Sequence, residues 1–190
     1  MPPMRQARIL SSLSGCALLI IAAGVGAQTP AAKSKAWKIQ NAMSAAPPSV
    51  SKGATILDWP AREGDQPVVL RTGTNGWTCF PDDPGTPGND PMCVDKIWLQ
   101  WVEAWMAKKD FKPALPGIGY MLQGGSTASN SDPFATTPAP GEKWMKEQPH
   151  IMVIVPGKLD PKAHSSDHHS GGPWIMWGGT PYEHLMVPIK

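Results

Sequence analysis

The sequence lacks every catalytic motif whose spacing would identify an activity. It contains no HExxH zinc motif, no glycine-rich nucleotide loop, no GxSxG nucleophile elbow and no CxxCH haem attachment. Gly124-Gly125-Ser126 precedes Asp132 and several histidines, but it does not have the flanking pattern of a serine hydrolase. No enzyme class is therefore indicated by motif.

The N-terminus has the three-part pattern of a cleavable signal peptide. Arg5 and Arg8 form a basic start, the run Ile9–Val25 is apolar or small, and Val25-Gly26-Ala27 offers small residues for cleavage before Gln28. Residues 1–27 are therefore predicted to be removed, leaving one periplasmic or secreted domain over residues 28–190.

Two alternatives to this cleavage stay open. Leu13-Ser14-Gly15-Cys16 has the residue types of a lipoprotein box, which would make Cys16 a lipidated N-terminus, although the apolar run continues beyond it. A membrane anchor is the other alternative, but a spanning helix needs about 20 apolar residues, and serines dilute the first half of this run.

The expected mature domain has no excess of charge. Removing 27 of the 190 residues leaves 163, and losing Arg5 and Arg8 leaves 15 basic residues against 15 acidic ones. Without a basic patch, nucleic acid is an unexpected partner. No second long apolar run follows, so the mature domain is not expected to span a membrane.

Cysteine is scarce, and its placement predicts a disulfide. Of the three cysteines, Cys16 leaves with the signal peptide, while Cys79 and Cys93 remain as a pair. Such a pair is expected to join in an oxidising compartment. The bridge would close a loop rich in proline and glycine, and it would contribute roughly 3 kcal/mol on the chain-entropy model.

The strongest periodic pattern predicts one long helix, from about Pro91 to Lys109 with Asp90 as its cap. Its apolar residues recur at helical spacing and include Trp98, Trp101 and Trp105. A shorter helix is predicted over 34–46, and a single helical turn over 142–147. Strands are predicted over 54–59, 67–71, 77–80, 117–122, 150–155, 174–177 and 184–189.

These elements predict an α+β fold. The expected architecture is a mostly antiparallel sheet with one long Trp-rich amphipathic helix packed on it, many loops and one disulfide. Thr74-Asn75-Gly76 predicts a hairpin between 68–71 and 77–80. The apolar, β-branched segment 150–155 is expected to be a central strand that is buried on both faces.

Tryptophan is abundant, with nine residues. Because Trp98, Trp101 and Trp105 share the apolar helix face, they are predicted to pack in the core. Trp174 and Trp177 would lie on opposite faces of a strand, and an exposed member would suit a carbohydrate-binding module.

All five histidines lie between residues 150 and 184. His164, His168 and His169 share a polar loop, and imidazoles of this kind suit transition metals. The pattern His-x-Met also occurs twice, as His150 with Met152 and as His184 with Met186. On neighbouring strands these four side chains would share a face, and imidazole with thioether favours copper. In composition they resemble periplasmic copper chaperones.

Oxygen donors in the cysteine loop suggest a weaker calcium hypothesis. Asp82, Asp83 and Asn89 supply ligands of the type that Ca²⁺ prefers, although they do not match an EF-hand. Taken together, the sequence predicts an exported, non-enzymatic domain that binds a ligand, a metal or a partner. The alternatives are a small metal-dependent enzyme using the C-terminal histidines, or a carbohydrate-binding module.

Overall fold

The computed structural model describes residues 33–189, so the predicted signal peptide lies outside the described residues. This part of the chain has three short helices and ten strands. The helices are α1 (Lys35–Met43), α2 (Pro48–Ser51) and α3 (Lys96–Met106). The strands are β1 (Thr55–Asp58), β2 (Val68–Arg71), β3 (Thr78–Phe80), β4 (Met92–Val94), β5 (Gly117–Met121), β6 (Gly125–Thr127), β7 (Met145–Glu147), β8 (His150–Ile154), β9 (Trp174–Met176) and β10 (His184–Pro188).

Eight of the strands form one sheet, in the order β2-β1-β3-β4-β5-β8-β10-β9, while β6 and β7 form a separate pair. All pairings are antiparallel except that of β1 with β3, which is parallel. The sheet is therefore mixed. The predicted fold class, α+β with a mostly antiparallel sheet under one long Trp-rich helix, is wrong: the described residues form a sheet-rich fold.

The predicted helix over 91–109 is replaced by a strand and a helix of 11 residues. Cys93 pairs with Cys79 in the β3–β4 ladder, so the segment before residue 95 is extended and cannot join the helix. The N-cap is Asp95, whose side chain accepts a hydrogen bond from the Trp98 amide at 2.9 Å. Asp90 was predicted to cap the helix, but its carboxylate instead accepts hydrogen bonds within the preceding loop.

The predicted hairpin between 68–71 and 77–80 is also wrong, because β1 lies between these two segments. Gly73 passes the end of β1 so closely that a Cβ there would lie 2.2 Å from the backbone of Ala54. Asn75 accepts a hydrogen bond from the Trp77 amide and donates one to the Val50 carbonyl. The Asn-Gly turn therefore carries the chain past β1 and does not join two neighbouring strands of the sheet.

The disulfide between Cys79 and Cys93 is confirmed, with a Cα–Cα separation of 4.0 Å. Both cysteines are buried in a small core beneath α1, together with Ala42 and Ile56. Below, the face of the sheet that carries them is called the α1 face.

The opposite face, called here the α3 face, carries the larger core. Trp98 and Trp101 of α3 pack there against residues that include Met152 and Met186. Gly119 of β5 permits the close approach, since a Cβ there would lie 2.8 Å from Met152 Cε and 3.5 Å from the Trp98 ring. The Trp98 indole N–H donates a hydrogen bond to the Met152 carbonyl at 3.2 Å. The helix is thus pinned to the middle of the sheet.

β8 lies between β5 and β10, as expected of a central strand, but only one of its faces is fully buried. Ile151 and Val153 on its other face are half-buried. The segment 142–147 was predicted to be a helical turn; its last three residues form β7 instead, paired with β6. Among residues 33–189, no helix has the length and apolar character that crossing a membrane requires.

Candidate functional site

A cavity of about 960 Å³ lies between α3 and the α3 face of the sheet. Six of the nine tryptophans border it, together with six methionines. These aromatic and thioether side chains form an apolar wall that suits an organic ligand, and the volume is typical of small-molecule sites. The tryptophans are Trp59, Trp98, Trp101, Trp105, Trp144 and Trp177.

The strand register fixes which side chains form the floor of the cavity. Met152 lies opposite Gly119 on one side and opposite Met186 on the other. His150, two residues earlier on β8, lies opposite Met121 and Pro188. Because side chains two residues apart share a face, His150, Met152 and Met186 all lie on the α3 face.

One end of the cavity is polar, and Glu147 and His150 form it. Both side chains lie next to Gly125, where an added Cβ would lie 3.1 Å from Glu147 Oε2 and 3.8 Å from His150 Cε1. Glu147 is 8% exposed and His150 is 1% exposed. Glu147 Oε1 and His150 Nε2 are buried without a hydrogen-bond partner among the described residues. Such atoms are rare in native proteins and call for an explanation.

The tautomer of His150 follows from its single hydrogen bond. Its Nδ1 lies 2.6 Å from the Gln148 carbonyl oxygen, which can only accept, so Nδ1 carries the proton and donates. Burial lowers the pKa of His150 to about 4, so the imidazole is neutral near pH 7. Nε2 therefore presents a lone pair, a hydrogen-bond acceptor, to the cavity.

Burial also raises the pKa of Glu147 to about 7, against a hydrogen bond from Thr127 that lowers it and the negative charge of Asp90 that raises it further. The carboxyl group therefore changes its protonation state near neutral pH. Asp90 has its pKa raised to about 6, again mainly by burial. Two buried acids thus face this end of the cavity, and both are poised to ionise between pH 5 and 8.

The other end of the cavity is aromatic and surrounds His184. Its ring lies 5.1 Å from Trp98, 5.6 Å from Trp101 and 5.3 Å from Trp177, measured between centroids. Nδ1 lies 2.9 Å from the Tyr182 carbonyl, to which it donates. Burial lowers the pKa of His184 to about 4. His184 is therefore a neutral component of an aromatic wall.

The loop 128–144, between β6 and β7, closes one side of the cavity. Two indole N–H groups help to hold it: Trp105 donates to the Pro133 carbonyl and Trp177 donates to the Ser129 carbonyl, both at 2.8 Å. The Trp177 amide also donates to the Asn130 carbonyl of this loop, at 2.8 Å. Trp177 has a positive φ of 52°, and its ring stacks on Trp101 with an interplanar angle of 3°. The loop is thus fastened to the same tryptophans that line the cavity.

The predicted copper ligands lie on one face of two paired strands. Met152 and Met186 are directly opposite each other, while His184 lies four residues along β10 from Pro188, the partner of His150. The backbone positions of the two histidines are therefore about 13 Å apart along the strand direction, with Met152 and Met186 between them. Copper binding by these residues stays a prediction.

The remaining predicted metal ligands lie outside the cavity or are engaged in the loop. His164, His168 and His169 lie in the surface loop before β9, with the His168 and His169 rings 3.8 Å apart. Asp82, Asp83 and Asn89 hold the cysteine loop together, and their side-chain oxygens accept hydrogen bonds from Asp90, Gly85 and Asn41. Over residues 33–189, no cluster of three or more His, Cys, Asp or Glu side chains is arranged to hold a metal ion. The metal-dependent enzyme stays a prediction.

The tryptophans predicted for the core are buried or half-buried there. Trp174 is buried, and Trp177 is half-buried against Trp101. Trp37 is the tryptophan among the exposed large apolar side chains, and the Lys33 ammonium covers its ring at 4.1 Å. The carbohydrate-binding alternative stays a prediction.

Sequence reasoning missed Glu147 and Asp90 as residues of the cavity. The sequence predicts Glu147 in a helical turn and Asp90 as a helix cap. The burial of Glu147 results from its pairing with β6, and Asp90 is held by hydrogen bonds with Asp82, Asp83 and Thr86 of its own loop. No protein-family model, curated protein or solved structure matches the chain.

Proposed function

We propose that the chain is a binding domain for a small, largely apolar organic molecule that occupies the cavity between α3 and the sheet. One observation carries this proposal: a cavity of about 960 Å³ with a Trp- and Met-rich wall ends at two buried polar atoms, Glu147 Oε1 and His150 Nε2, that have no partner among the described residues. A ligand with a polar head would satisfy these atoms while its apolar body leaves water.

Binding is tested with the neutral fluorescent probe N-phenyl-1-naphthylamine. Because six tryptophans border the cavity, a bound probe should accept energy from them, and its emission should saturate at one molecule per chain. Met121→Trp places a larger side chain beside Gly125, where Met121 Cε lies 3.2 Å from the Cβ position, and should weaken binding at least tenfold. Leu115→Trp adds the same side chain at a site that is 61% exposed, and it should have no effect.

Gly125→Ala gives a second test in case Met121→Trp does not fold. Its methyl group enters the polar end at 3.1 Å from Glu147 Oε2, where only a flexible side chain has to move. Probe binding that is equally tight in the wild type and in both cavity variants would refute the proposal.

We also propose that the domain acts outside the inner membrane after residues 1–27 are removed. The basic start, the apolar run and the small residues before Gln28 support this location, as does the disulfide. Intact mass of material recovered from the periplasm should correspond to a chain that starts at Gln28. A diacylglyceryl group on Cys16 would contradict it.

A second candidate function is binding of Cu(I) by thioethers. Met152 and Met186 face each other across β8 and β10 on the α3 face, and His150 Nε2 lies nearby without a partner among the described residues. The double variant Met152→Leu, Met186→Leu keeps the side-chain volume and should lose Cu(I) affinity while keeping its melting temperature within a few degrees. Unchanged Cu(I) affinity would remove this candidate.

A further inference from the structure

The charges around the cavity are strongly unequal. Seven carboxylate side chains border it, whereas two basic side chains do. Lys108, one of these two, is paired with Glu63 at 2.6 Å, so this pair cancels and six carboxylates remain against Arg62. A cavity bordered mainly by one sign of charge concentrates ligands of the opposite sign. The carboxylates are Glu63, Asp65, Asp83, Asp90, Glu103, Asp132 and Glu147.

The buried polar end of the cavity also favours a positively charged ligand, as the lone pairs of two atoms show. His150 Nε2 offers a lone pair, because Nδ1 donates to the Gln148 carbonyl. Glu147 Oε1 offers further lone pairs. Both atoms accept hydrogen bonds, so a ligand head that donates several hydrogen bonds fits them, and a protonated amine donates up to three.

We infer that the cavity selects an organic amine, with its ammonium group between Glu147 and His150 and its apolar or aromatic body against the tryptophans and methionines of α3 and the sheet. This inference rests on the proposed binding function and adds the chemical class of the ligand. The ammonium would form a charge-assisted hydrogen bond with the Glu147 carboxylate, which is 8% exposed, and such bonds are stronger at buried groups than in water.

The titration of Glu147 should make the binding of an amine depend on pH. An ammonium pairs with the ionised carboxylate, and burial raises the pKa of Glu147 to about 7. The titratable groups facing it are Asp90, from the loop before β4, and His150, from β8, which stays neutral above about pH 4. A primary alkylamine stays protonated from pH 5.5 to pH 8, so its affinity should rise by about 30-fold over this interval as Glu147 ionises.

The experiment compares three probes that share one body and differ in the head: 4-phenylbutylamine, 4-phenylbutanol and 4-phenylbutyrate. Each displaces N-phenyl-1-naphthylamine from the full mature chain at pH 5.5 and at pH 8. The amine should bind most tightly at pH 8 and lose about 30-fold at pH 5.5. The alcohol should change less than about twofold, and the carboxylate should bind more weakly at pH 8 than at pH 5.5.

Two variants separate Glu147 from the general charge of the protein. Glu147→Gln should remove most of the pH dependence of the amine and leave the alcohol unchanged, with the residual pH dependence coming from Asp90. Glu142→Gln, at an exposed position of the 128–144 loop that does not line the cavity, serves as the matched control and should behave as the wild type.

The outcomes distinguish the inference from the function on which it rests. Equal affinity for the three probes, a preference for the carboxylate, or failure of all three to displace a bound N-phenyl-1-naphthylamine would overturn the amine while leaving the binding cavity intact. Failure of N-phenyl-1-naphthylamine itself to bind would overturn both.

Discussion

The buried carboxyl group of Glu147 should make the stability of the ligand-free domain depend on pH in a predictable direction. Its pKa is raised from 4.5 to about 7 in the folded chain. Between these two values the folded state holds a proton that the unfolded state has released. The free energy of unfolding contributed by this group therefore falls as pH rises from about 4.5 to about 7.

The size of the effect follows from the shift. One pKa unit corresponds to 1.36 kcal/mol, so Glu147 should cost about 3 kcal/mol of stability at pH 8 relative to pH 4. In a domain of this size, that corresponds to roughly 6–12 °C in melting temperature. His150 and His184 act in the opposite direction, because their pKa values are lowered to about 4. The wild type alone therefore conceals the Glu147 contribution.

Glu147→Gln reveals that contribution, because Gln keeps the shape and cannot ionise. The difference in melting temperature between this variant and the wild type should be more positive at pH 8 than at pH 4, by an amount that approaches the range above. Any constant effect of the buried amide cancels in this comparison. Thermal unfolding followed by circular dichroism measures it, with the exposed Glu142→Gln as control. If the difference in melting temperature is the same at pH 4 and at pH 8, Glu147 is not a buried carboxyl group with a raised pKa.

Three further predictions follow from the core. In an NMR titration, the His150 imidazole should stay neutral down to about pH 4, and a titration midpoint above pH 6 would contradict its burial. Because folded His150 resists protonation, the stability that it contributes above pH 6.5 should be lost on acidification toward pH 4. Replacing Cys79 and Cys93 together by alanine should lower the free energy of unfolding by about 3 kcal/mol in denaturant titrations; an unchanged midpoint would show that the staple contributes nothing. Trp101→Ala should cost about 3–5 kcal/mol, whereas Trp37→Ala at the surface should cost under 1 kcal/mol, and equal losses would contradict the assignment of Trp101 to the core.

The parts of the fold that were predictable are those with strong local or pairwise signals. The disulfide follows from two cysteines that flank a loop unable to form regular structure, and β8 and β10 follow from runs of β-branched and apolar residues. Helix α3 was half predictable. Its apolar periodicity is real from residue 96 onward, but the same periodicity includes Val94, which the sheet ladder holds in β4 opposite Thr78.

The parts that were not predictable depend on contacts between distant segments. Asn75-Gly76 is a strong hairpin signal, yet β3 pairs with β1 and β4 instead of β2, and no local pattern encodes its parallel pairing with β1. The polar end of the cavity has the same origin. Glu147 would be exposed in an isolated helix or strand. Its burial results from the pairing of Glu147 in β7 with Gly125 in β6 and from its proximity to His150.

The attachment of the 128–144 loop should affect the rates at which a ligand enters and leaves the cavity, rather than the affinity of the ligand. Its two indole hydrogen bonds, to the Ser129 and Pro133 carbonyls, must break if a bulky guest is to pass on that side. At about 1 kcal/mol net each, these two bonds alone would keep the open fraction at roughly 3%, and the hydrogen bond from the Trp177 amide to the Asn130 carbonyl lowers it further. Entry and departure would both slow by at least about 30-fold while the equilibrium constant stays the same. The tryptophans would then lengthen the residence time of a bound molecule.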